Sequence, residues 1–206
     1  MHSGMTRVKT LALLGSLALL SAVALAQEEA PGAAESETQA PLRTQQELLR
    51  EMPVPPHNDP GLREAPPRPG LGLATERAAR LFEAIVHDDP SRAMDFLFPR
   101  DAFVILKGVS DPQRIYDRIH RMYLDDIHAL HEELPGLERA EFDRLELSRR
   151  RGWVLPRQES NRLPYWAQRH SWLYYRVDGE ERRVEVRTMI AWDDQWYITH
   201  LREFRH

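Results

Sequence analysis

Apolar residues recur across residues 71–206 with two different periods, and the switch between them divides the chain into a helical first half and an extended second half. The spacing of Ala78, Leu81, Phe82 and Ile85 gathers them on one helix face, with Thr75 as the predicted N-cap and His87-Asp88-Asp89 at the end. Asp89 is placed to cap a second helix that opens at Pro90, turns Ala93, Met94 and Leu97 inward and stops at Pro99. The unbroken apolar run Ala102 to Leu106 then reads as a buried strand, ended by Gly108. Asp111-Pro112 is the next cap and first-turn pair. It opens a longer helix with Ile115, Ile119, Met122, Ile127 and Leu130 on its apolar side, closed by Leu134-Pro135-Gly136.

From Phe142 onward the pattern is that of strands. Phe142 to Leu147 alternates, and a proline-punctuated loop runs from Gly152 to Pro164. Trp172 to Val177 and Glu180 to Thr188 flank Asp178-Gly179, a two-residue hairpin signal because both central positions of such a turn need positive φ. That turn puts Leu173 and Tyr175 on one face with Arg182 and Val184. The last pair, Val184 to Trp192 and Trp196 to Phe204, flanks Asp193-Asp194-Gln195. These aspartates read as turn residues rather than as the rim of an active site, since Asp tolerates left-handed backbone and bonds its own backbone two residues on. Trp192 and Trp196 are expected to brace the turn as a cross-strand pair.

Ahead of this domain the chain changes character. Arg7 and Lys9 precede an apolar run from Leu11 to Leu25, which ends in Ala24-Leu25-Ala26. Charged head, short apolar middle and A-x-A spacing predict a cleavable secretory signal over residues 1–26, and hence a periplasmic or secreted protein. The run falls short of the about 20 residues that span a bilayer, so no stable membrane anchor is expected. Residues 27–70 hold nine of the 15 prolines and predict a disordered Pro-rich linker or tail. Within it, Thr44 to Glu51 has the S/T-x-x-E spacing of a brief capped helix. The remainder, 71–206, has the length of one domain.

Without residues 1–26 the chain carries 26 basic and 32 acidic residues, a net charge of −6 with His neutral. Such a balance gives no electrostatic help in binding nucleic acid, and Arg149-Arg150-Arg151 is read as a solvated strand end. Lys9 and Lys107 are the only lysines among the 28 basic residues. There is no cysteine, so no disulfide forms and the fold rests on its core alone.

The order of elements, the segment AARLFEAIVHDDPSRAMDFLFP and the closing QWYITHL resemble the nuclear transport factor 2-like, or cystatin-like, superfamily. The resemblance implies an α+β fold in which N-terminal helices pack on a curved antiparallel sheet to make a cone, here preceded by the disordered tail. It also implies two kinds of relative: enzymes that work inside the cone with an Asp or His base and a Tyr, Asp or Asn donor, and members that bind a ligand or protein or pair through the sheet. Candidates for the catalytic parts are His200, Tyr174, Tyr116 and His120, with Tyr175, Tyr123 and Arg187 as further possibilities, although none matches a family motif residue by residue. His128, His131 and Glu132 have the three- and four-residue spacings that bring metal ligands together on a helix. Trp153, Arg157, Trp166 and Arg187 are candidates for contact with a ligand or partner, because desolvated Trp and Arg dominate binding surfaces. No cofactor is expected. The expected function is that of an exported, non-catalytic binding module taking a protein or a small hydrophobic ligand, with a homodimer through the sheet as one arrangement. The alternative is a small-molecule enzyme of isomerase or cyclase type using general acid–base chemistry. The interior decides between them: a deep cavity with a His facing a Tyr favours the enzyme.

Overall fold

Capping and apolar spacing account for most of the helices. The computed structural model describes residues 43–203, so the expected signal peptide and residues 27–42 lie outside the described residues. α1, Gln45–Glu51, forms on the capping box of Thr44 and Glu47, each side chain bonding the other's backbone. α2, Ala74–His87, buries Ala78, Leu81, Phe82 and Ile85 and ends at Asp88 in the left-handed conformation. Thr75 is not its cap: the helix starts two residues earlier than that cap would place it, with Leu73 in the cap position and no side chain capping it. Asp89 does accept from the Ser91 N–H, but it opens only a single 3₁₀ turn, Pro90–Ala93, in place of a helix reaching Pro99. Phe96 to Phe98 is then free to bond the last strand.

The expected strand at Ala102 to Leu106 is instead a helix, α3, Arg100–Leu106. Every residue from Ala102 to Leu106 is buried, and an apolar run sunk on all sides fits a short core helix as well as a strand. α4, Pro112–Glu133, is capped by Asp111 and buries Tyr116, Ile119, Tyr123, Ile127 and Leu130. Its apolar stripe is centred on the two tyrosines, which leaves Ile115 40% exposed and Met122 only half-buried rather than inward as expected.

The helices pack against an open antiparallel sheet of β1 (Ala140–Glu146), β2 (Arg151–Val154), β3 (Tyr165–Val177), β4 (Glu180–Trp192) and β5 (Gln195–His200). The strand order is β1-β3-β4-β5, with β2 also pairing β3, so part of the loop expected from Gly152 to Pro164 is a strand. The Asp178-Gly179 turn holds two residues, and Tyr175 and Leu173 stand opposite Arg182 and Val184 as read from the sequence. Asp193 and Asp194 make a second two-residue turn, Gln195 belonging to β5. Trp192 and Trp196 do not face each other: Trp192 opposes Gln195 and Trp196 opposes Ala191, which sends them to opposite faces. Phe98 N–H donates to the Ile198 carbonyl (2.9 Å) and Ile198 N–H to that of Phe96 (2.8 Å), covering the β5 edge.

One face of the sheet carries Leu173, Tyr175, Val184, Val186 and Ile190 toward the helices, and Phe82 of α2 packs 5.1 Å from the Tyr175 ring. The opposite face is also buried at Met189, Trp196 and Ile198. There the stretch expected to be a free linker runs along the domain. Trp166 Nε1 donates to the Pro66 carbonyl (3.1 Å) and Trp196 Nε1 to that of Pro69 (3.3 Å). Asn58, 1% exposed, donates to the carbonyls of Pro164 (2.9 Å) and Ala191 (3.4 Å). Leu48 of α1 is fully buried, so the folded unit begins upstream of Leu71.

Candidate functional site

Between α3, α4 and the helix-covered face of the sheet lies a cavity of about 560 Å³. Phe103, Ile119 and Ile190 form its buried apolar part, joined by the half-exposed Ile115. Thr188 and His200 stand opposite each other in adjacent strands and line it together. The charged residues of its wall are Lys107, Arg118, Glu159, Arg169, Arg187 and Glu203.

Two local features bring the key side chains here. A register shift between Thr188 and Met189 changes the pairing of the last strand, from Met189 opposite Ile198 to Thr188 opposite His200. Without that bulge the two-residue turn would carry His200 opposite Arg187 and turn it to the other face. Lys107 is the extended C-cap of α3, and its N–H donates to the Phe103 carbonyl (3.0 Å). The loop beyond β2 grips the same point: Arg162 N–H donates to the Leu106 carbonyl and Gly108 N–H to that of Ser160, both at 2.8 Å. Gln45 of α1 completes the end of α3, its side-chain amide donating to the carbonyls of Val104 and Lys107.

Most of the charges are paired. Arg169 bonds Glu159, whose carboxylate also accepts from the Tyr165 hydroxyl (2.7 Å). Arg187 reaches Glu203 (3.1 Å) and Glu185 (3.4 Å), and Glu185 bonds His170 in turn. Lys107 differs: its Nζ lies 5.5 Å from the Tyr165 ring centre and 5.9 Å from that of Phe103, and donates to the Glu159 backbone carbonyl at 3.4 Å. Burial pushes its amine below the usual lysine range. Burial likewise lowers the His200 imidazole, with Lys107 and Arg169 adding repulsion to its protonated form.

Of the residues singled out for catalysis, only His200 and Arg187 reach this cavity. Tyr116 packs against Phe103 (5.6 Å between ring centres) and stacks on His120 (6.4 Å), and burial raises its phenol. Tyr174 lies on the opposite face with the Arg144 guanidinium 3.8 Å from its ring centre. Tyr175 is packed on Phe82, and the Tyr123 hydroxyl donates to the Ala93 carbonyl at 3.0 Å. His200 therefore faces no tyrosine in the cavity wall.

The helical histidines tie α4 to the end of α2. His131 Nδ1 donates to the Ile85 carbonyl (2.8 Å), and His128 bonds the carboxylate of Asp88. Glu132 joins neither contact, and among the described residues no three His, Asp or Glu side chains come together as a metal site. The contact candidates are also dispersed. Trp153 and Trp166 form a cross-strand pair with ring centres 5.8 Å apart, on the face bonded by Pro66. Arg157 is exposed beside Arg63 and Arg162 in a separate cleft. Lys107, Glu159 and Phe103 were not among the residues expected to form a site. The one signal for Lys107 was its being the only lysine after residue 26, at the close of an apolar run. The chain matches no family model, no curated protein and no solved structure.

Proposed function

We propose that this protein is a non-catalytic binding module that takes one small, mostly apolar ligand in the cavity between α3, α4 and the sheet. The observation that carries the reading is that cavity of about 560 Å³, within the range of small-molecule sites, with Phe103, Ile119 and Ile190 inside and ion pairs toward solvent. A closed core would have filled such a space with side chains. In this reading the fold is the cone of the nuclear transport factor 2-like superfamily, supported by four helices followed by an antiparallel sheet. The Arg7-to-Ala26 signal pattern supports export to the periplasm or beyond. Among the described residues no helix is long and apolar enough to cross a membrane.

The enzymatic alternative has one observation in its favour, the half-buried His200 in the cavity wall. A general acid–base pair needs a second group across the reacting atoms, and the tyrosines that would supply it are packed elsewhere, which places binding first.

Titration with N-phenyl-1-naphthylamine, a neutral apolar dye whose fluorescence rises out of water, tests the proposal. The expected result is saturable binding of one dye per chain, lost in Thr188→Trp, where the indole fills the cavity, while thermal unfolding stays cooperative. Absence of saturable binding, or binding unchanged in Thr188→Trp, rejects it.

A further inference from the structure

Lys107 forms no salt bridge among the described residues, and what would pair with it in the cavity defines a ligand class. It is the only lysine outside residues 1–26. Its ammonium sits beside two aromatic rings with a backbone carbonyl as its polar partner, and among the described residues no carboxylate forms a salt bridge with it. The two carboxylates of the cavity wall are already engaged, Glu159 by Arg169 and Tyr165, and Glu203 by Arg187. Arg118 has a partner as well. Lys107 is half-buried, its amine partly desolvated and drawn only through space by the Glu159 carboxylate, so a ligand that brings an anion to Nζ offsets that desolvation on binding. The arginine forks that would grip a phosphate dianion from two sides are paired, leaving one compact positive point suited to a single carboxylate.

Resting on the cavity being a ligand site, we infer that the ligand is an amphipathic monocarboxylate, its carboxylate paired with Lys107 Nζ and its hydrocarbon part against Phe103, Ile119 and Ile190. The apolar groups give affinity and Lys107 gives the preference for acid over alcohol. The depressed basicity of the amine agrees with this arrangement, because a carboxylate at Nζ returns the charged form toward its ordinary range.

Displacement of the bound dye by decanoate and by 1-decanol, in the full mature chain, tests the inference. In the wild type decanoate is expected to compete about tenfold better than decanol, a modest electrostatic preference. Lys107→Met should erase that preference and leave decanol unchanged, and Lys107→Arg should restore part of it. Equal competition by acid and alcohol in the wild type, or a preference that survives in Lys107→Met, overturns the inference while leaving the binding proposal standing. Failure of the dye and of both competitors to bind removes the proposal itself. A second measurement does not depend on the variants: in protein labelled at lysine Cε with ¹³C, the mature chain gives one resonance, that of Lys107. Glu159, Arg169, Arg118, Arg187, Glu203 and His200 share its cavity and are present in every arm. Decanoate should raise the titration midpoint of that resonance and decanol should not; a midpoint unmoved by saturating decanoate overturns the inference.

Discussion

Asp193 and Asp194 hold φ of 49° and 59°, and Asp178 holds 52° beside Gly179 at 83°. Both hairpins are therefore closed through left-handed backbone, which side chains resist and glycine does not. Asp is tolerated there because its short carboxylate bonds nearby backbone. Asp194→Gly is expected to raise stability by up to about 1 kcal/mol, and Asp194→Val to lower it by about 1–2 kcal/mol, measured by chemical denaturation. A stabilising valine would show that the turn does not hold its left-handed form in solution. Since the two aspartates form a turn and are not part of the cavity wall, neither substitution should alter dye binding.

At the scale of elements, the proline-rich stretch behaves as a strap. It cannot build a ladder of its own, yet its carbonyls accept from Trp166 and Trp196, and Asn58 supplies donors to two carbonyls that the sheet leaves open. Asn58→Ala leaves those buried carbonyls unpaired and is expected to cost about 1–3 kcal/mol. Leu48→Ala opens a void at a fully buried position and is expected to cost about 2–5 kcal/mol. A chain beginning at Leu71 loses both contributions, together with the Gln45 cap on α3 that helps to hold Lys107 in place. It should unfold at lower denaturant than a chain beginning at Arg43, with its tryptophan emission shifted toward that of exposed indole. Equal midpoints and spectra would mean that the strap contributes nothing.

At the scale of the molecule, the half-buried His200 links stability to pH. Its imidazole has an ordinary value of 6.5, and the fold holds it lower. The unfolded chain therefore binds the proton first as pH falls, so the contribution of His200 is intact above about pH 6.5 and is lost in the window below it. Folded protein should melt at a lower temperature near pH 5.5 than near pH 7, and His200→Gln should make that dependence shallower. Identical slopes for the two proteins would show that His200 charges as readily in the fold as in the unfolded chain.

Local signals were sufficient wherever the controlling interaction was itself local. The capping box at Thr44, the Asp111-Pro112 start of α4 and the Asp178-Gly179 hairpin are each decided within a few residues, so the sequence by itself determined them, whereas the alternation expected of β1 is broken by a register shift between Phe142 and Arg144. Ala102 to Leu106 lies at the limit of such reading, because uniform burial erases the period that separates a strand from a helix. The candidate site lies beyond it. His200 reaches the cavity through a bulge that shifts its partner by one residue, and Lys107 through the docking of α1 and the loop beyond β2 on the end of α3. Proline content alone marked residues 43–70 as a tail, while the acceptors they offer to Trp166 and Trp196 appear only once the sheet has formed. Only the tertiary structure decided these features, because a one-residue register or a cap supplied from far along the chain depends on contacts that no short window of sequence contains.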